Sequence, residues 1–219
     1  MNRQSGDPLR NRAESQGKSP RRRAGLLLVA VAGTFLAVLV LATAMVPDYS
    51  YRTAAISDLG VHPETALFFN ASLLVVGVLN LLAGVSFHRI HGNRWLLLTY
   101  AIASVGAAGV GLVPLGSGPL HGFFALIAFL FFNLEAIGSG RKTGGTIRKL
   151  SVLAGAIGLG FLVAFVLGGS GVTAVFGPFG YGGTERMIVY PVLTWALVFG
   201  GFLLGTEAGE TGDAAGRAK

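Results

Sequence analysis

GLLLVAVAGTFLAVLVLATAMV, residues 25–46, holds no charged residue and only two side-chain hydroxyls. It follows the triplet Arg21, Arg22 and Arg23, with only Ala24 between. About 20 apolar residues in a helix span a hydrocarbon core of about 30 Å, so this run reads as a membrane-crossing helix. The alternative is a secretory signal, because Ala42-Thr43-Ala44 makes a passable cleavage site. Signal peptides carry an apolar core of about 7–15 residues, which this run exceeds, so a retained helix is expected.

Working outward, five more runs of the same kind follow at residues 65–87, 95–115, 120–137, 150–167 and 187–205. Lipid offers no hydrogen bonds, so each segment must satisfy its own backbone and be helical. Strands of a membrane barrel are shorter and alternate polar with apolar residues, which these do not. The expected fold is all-α: a polytopic bundle of six transmembrane helices in residues 25–205. Residues 1–24 and 206–219 are polar and read as disordered tails.

Composition agrees. Hydrophobic residues make up 52% of the chain and charged residues 12%. A soluble domain carries about 25% charged residues to face water. With no cysteine, disulfides and thiolate metal sites are excluded. The net charge of +7 follows from topology and needs no nucleic acid. Of the 17 Lys and Arg residues, all but Arg52 and Arg186 fall in the two tails and the second and fourth connections. Basic residues collect on the cytoplasmic side of short loops, which places both termini there, in a cell-membrane protein.

Small residues four apart, such as Gly201 and Gly205, Ala154 and Gly158, or Ala156 and Gly160, let helices approach closely in lipid. They read as packing seams, as do Gly106, Gly109 and Gly111, and could also serve a homo- or hetero-oligomer. The only acid inside the six runs is Glu135, toward the cytoplasmic end of the fourth, beside Asn133. Ion-coupled transporters place ionisable groups near the midplane, so such a transporter is not expected. Asn80 reads as an interhelical hydrogen-bonding residue.

Uncommon polar groups gather instead in the outer segments. The first outer loop carries Arg52, Ser57, Asp58, His62 and Glu64; the second leads to His121; the third ends at Glu185 and Arg186, with Tyr190 following. Arg52, Ser57, Asp58, His121, Glu185, Arg186 and Tyr190 are therefore the candidate ligand-binding residues. Each has a plainer explanation. Glu64 and Glu185 suit the first turns of the second and sixth helices, Asp58 suits a turn, and His121 suits a hydrogen-bonded helix start. Arg52 and Arg186 call for a carboxylate or an anionic ligand. His62, His121, Asp58 and Glu185 could ligate zinc, but no spacing supports it, so no metal and no cofactor are expected.

These segments resemble a family of membrane proteins, the domain of unknown function 998. The pieces are ISDLG at residues 56–60, FFN at 68–70, Pro119 with His121, and GxxERMxVYPxLxW across residues 182–195. The resemblance covers residues 26–205 and implies a six-helix membrane protein without supplying an activity. The expected function is non-catalytic: binding of a lipid or a protein partner at a polar outer mouth, with membrane lipids as surroundings and no nucleic acid. The alternatives are a membrane-embedded lipid hydrolase or transferase using Asp58 and His121 as acid and base, and a permease for an uncharged solute.

Overall fold

The structure, a computed structural model, describes residues 19–216, with side chains through residue 206. Six helices long and apolar enough to cross a membrane follow one another: α1 (Pro20–Met45), α2 (Ala66–His91), α3 (Arg94–Leu112), α4 (Pro119–Gly140), α5 (Gly145–Gly169) and α6 (Gly180–Gly216). No strand occurs among the described residues. This is the expected six-helix bundle of a multi-pass membrane protein.

Local chemistry fixes most helix ends. Pro20 and Pro119 open α1 and α4, where the absent amide hydrogen is no loss. Gly92 closes α2 in the left-handed conformation at φ 63°. Asn93 then caps α3, its side chain accepting from the Leu96 amide at 3.1 Å.

Several boundaries differ from the sequence reading. The first helix begins at Pro20, so Arg21–Arg23 form its opening turn and only residues 1–18 of the N-terminal tail lie outside the described part. The backbone of α6 continues helically to Gly216, past residue 205. Its start is earlier too. A 3-10 segment, Thr173–Phe179, precedes it, and Gly180 at φ 67° turns the chain into the helix. Glu185 and Arg186 therefore sit more than a turn inside α6, and helix capping does not explain them. The glycine-rich stretch is packed because Tyr181 stacks on Phe165, with ring centroids 4.9 Å apart, and meets Phe176 edge-on. Glu64 also lies outside α2, which starts at Ala66.

Each helix packs on the next, and α6 packs back on α1, closing a ring. At that closure a Cβ on Gly25 would meet the Gly200 carbonyl at 2.8 Å, so both backbones touch. The chain thus enters and leaves at one end of the bundle, the terminal face; the loops after α1, α3 and α5 lie on the far face. Helix α4 also touches α6 across the ring, which leaves α5 in the outer groove between them. The outward surface is apolar, with Val40, Leu67, Val105 and Val163 exposed, as a lipid-facing surface must be.

The seams are partly those expected. Gly106 and Gly109 admit α4, and Gly111 admits α2. Gly158 admits the Asn133 side chain, which occupies the space a Cβ would need. Gly160, Gly201 and Gly205 instead face open space and form no seam within the bundle; at the α1–α6 contact the close approach belongs to Gly200.

Candidate functional site

Far-face order begins with α6. Arg186 is buried, 5% exposed, and lies under the loop that follows α1. Its Nη1 donates to the carbonyls of Tyr51 (3.1 Å), Ala54 (2.8 Å) and Gly182 (2.8 Å), and its Nη2 donates to the Tyr49 hydroxyl at 2.6 Å. The rings of Tyr49 and Tyr51 flank the guanidinium, with centroids 5.4 and 5.0 Å away. Tyr49 in turn donates to the Ala55 carbonyl at 2.7 Å. Burial pushes the Tyr49 hydroxyl up to about 12, although the neighbouring guanidinium opposes the shift. Only the planar fork of an arginine reaches this many acceptors at once.

Glu185 works beside it. Its Oε2 accepts the Ile56 amide at 2.5 Å, tying α6 to the 3-10 turn Ser57–Gly60. Asp58 caps the same turn by accepting from the Ala55 amide at 2.7 Å. Thr65 donates to the Leu59 carbonyl and Asn70 to the Gly60 carbonyl, at 2.7 and 2.8 Å. So the ISDLG segment is held by α2 from one side and by α6 from the other.

Beneath this turn lies a partly enclosed slot of about 90 Å³, walled by α1, α2, α3, α4 and α6. Ser57, His121 and Glu185 line its far-face end. Asn80, Asn133 and Glu135 belong to its wall on the terminal side. Between them the wall is apolar, with Phe35, Val76, Ala128 and Val192 among its residues. From His121 to Glu135 along α4 is about 21 Å at the helical rise of 1.5 Å per residue, so the slot is long and slender.

The terminal-side end holds a buried carboxyl group. Glu135 is fully buried, and its Oε1 accepts from Asn80 Nδ2 at 2.8 Å. Its Oε2 has no hydrogen-bond partner among the described residues. Asn133 donates to the carbonyls of Phe129 and Ile188, at 2.7 and 3.3 Å. Its Oδ1, also without a hydrogen-bond partner, packs against Gly158 on α5. Tyr100 and Ser139 close a nearby pair at 2.9 Å.

The seven residues singled out from sequence thus divide. Ser57, His121 and Glu185 come together on the slot. Arg186, with half-buried Tyr190 near it, belongs to the loop anchor. Asp58 lines a separate open hollow of about 550 Å³ with Tyr49, His62 and Pro63. The Arg52 side chain is exposed, while its carbonyl accepts the Gly182 amide at 2.9 Å. His121 Nδ1 lies 2.7 Å from the Val113 carbonyl, so the ring donates there. His62 and Glu64 pair at the surface at 2.9 Å; the hydrogen bond from His62 holds the Glu64 carboxyl below the ordinary carboxylate range. The residues that sequence reasoning left outside the site are Glu135, Asn80 and Asn133. The available signal was that Glu135 is the sole acid within six apolar runs.

No curated protein and no solved structure matches the chain. One family model does, described as a protein of unknown function (DUF998), and it covers residues 16–201. That span takes in α1 to α5, α6 as far as residue 201, and every segment on which the resemblance rested, and the chain belongs to this family.

Proposed function

We propose that this protein is a non-catalytic binding protein of the cell membrane. Its ligand is a small or slender amphipathic molecule that enters the interhelical slot from the outer side, past Ser57, His121 and Glu185. The observation carrying this reading is the slot itself: apolar along its length, polar at both ends, and enclosed by five of the six helices. Pockets of that character are where small molecules bind between helices. Its volume sets the scale. An apolar cavity of about 150 Å³ takes benzene, so 90 Å³ admits a group of a few heavy atoms or the narrow end of a larger molecule.

Binding is better supported than hydrolysis. The catalytic alternative needs Asp58 and His121 to meet at one substrate, and they line different hollows. Transport would use the same slot and would show as movement of the bound molecule.

The test is extraction of the purified protein followed by mass spectrometry. The wild type should carry a stoichiometric small amphipath. Ala128→Leu, which adds three carbons to the slot from α4, should fold and lose it. An equal load in both proteins, or none in the wild type, would refute the reading.

A further inference from the structure

We infer that the inner end of the slot is a receptor for a short aliphatic primary amine, with the Glu135 carboxyl as the group that holds its nitrogen and Asn80 fixing that carboxyl in place. The inference rests on the slot being a ligand site and names the class of ligand it takes.

The starting point is a missing partner. Glu135 is fully buried on the slot wall, and only one of its carboxyl oxygens is bonded. A buried polar atom left without a partner is costly, and more so when the group is charged. Among the described residues no second donor reaches it. Asn80 Nδ2 already serves Glu135 Oε1 and lies within 3.4 Å of the Tyr100 carbonyl and 3.3 Å of Ser104 Oγ. The Tyr100 hydroxyl is paired with Ser139, and Trp195 Nε1 donates to Ser151 at 2.9 Å. No lysine, arginine or histidine is among the slot residues at this end.

The chemistry of an amine matches what is missing. An alkylammonium presents three donors to a carboxylate. A free amine would take the proton of a carboxylic acid and leave the same ion pair, so the match holds whichever partner brings the proton. An alcohol offers one neutral donor, and a carboxylate ligand would oppose Glu135. Away from the nitrogen the wall is Val76, Ala128, Phe132 and Val192, which suits an unbranched alkyl body. The 90 Å³ available limits that body to a few carbons.

The experiment is calorimetric titration of the full chain in detergent with three probes of one shape: n-butylamine, n-butanol and butyrate. Charge-assisted hydrogen bonds are about twice as strong as neutral ones, so butylamine should bind wild-type protein about tenfold more tightly than butanol. Butyrate should not bind. Glu135→Gln should bring butylamine to within about threefold of butanol while leaving butanol unchanged. If butanol and butylamine bind the wild type equally, the amine assignment is wrong and the slot reading survives. If neither binds, the slot reading falls with it. Should Glu135→Gln fail to fold, the comparison of butylamine with butanol in the wild type still decides, because the probes differ only in the nitrogen.

Discussion

Glu185 and Ile56 are joined by a 2.5 Å hydrogen bond from the Ile56 amide to the Glu185 carboxyl, across 129 positions of sequence. It fastens the far-face turn to the second turn of α6 and roofs the slot. Next to it Arg186 gathers three carbonyls and a tyrosine hydroxyl. Removing either side chain strands buried backbone groups. Glu185→Leu is expected to cost about 1–3 kcal/mol, and Glu185→Gln, which keeps an acceptor, less. Arg186→Lys should recover under half of what Arg186→Leu loses, because a single ammonium nitrogen cannot stand in for both Nη1, on the carbonyls, and Nη2, on the Tyr49 hydroxyl. Thermal unfolding in detergent, followed by intrinsic fluorescence, checks the order.

The α4–α5 contact makes a sharper comparison. A methyl group at Gly158 would collide with the Asn133 side chain, whereas one at Gly160 meets nothing within 4 Å. Gly158→Ala should destabilise by about 1–3 kcal/mol through overpacking. Gly160→Ala should be neutral or stabilising by up to about 1 kcal/mol, from helix propensity alone. The same melting assay measures both.

Tyr49 gives the far face an alkaline limit. Its hydroxyl, ordinarily at 10.0, is raised to about 12 by burial. The folded protein then holds that proton more tightly than the unfolded chain. Stability should therefore be full below about pH 10 and fall as pH rises toward about 12. In Tyr49→Phe that part of the pH dependence disappears. Melting temperatures recorded from pH 8 to pH 12 report it.

Orientation can be read chemically, since the chain has no cysteine of its own. Thr53 and Lys142 are exposed on opposite faces. The distribution of Lys and Arg expects Thr53→Cys to react with an impermeant thiol reagent on intact cells, and Lys142→Cys to react only after lysis. Gel-shift labelling distinguishes the two.

The helices were legible because lipid imposes one rule on long segments: apolar side chains and a satisfied backbone. Helix count and the mutual approach at Gly106, Gly109 and Gly158 follow from that rule and from residue size. The start of α6 was not legible. Glycines and two charges read as a loop, and they become helix only because the loop after α1 supplies partners for Glu185 and Arg186. The candidate site was legible in halves. Ser57, His121 and Glu185 stand out as polar residues beside apolar runs. Asn80 and Glu135 are 55 positions apart, and nothing local announces that their side chains meet. Likewise Gly201 and Gly205 share the spacing of a seam, yet which face of a helix meets a neighbour depends on the whole ring.

Accessibility of the slot is the central question, and a pair of cysteine variants addresses it. Val192 lies on the slot wall at 6% exposure; Ser86 is equally hidden, at 2%, but off the slot. Each is replaced singly by cysteine and treated with a small methanethiosulfonate reagent, and modification is followed by intact mass. Val192→Cys should react at least about tenfold faster than Ser86→Cys, and Ala128→Leu in the same chain should abolish the difference. Equal rates at the two positions would mean that the slot admits nothing, and the account of a ligand site between these helices would be wrong.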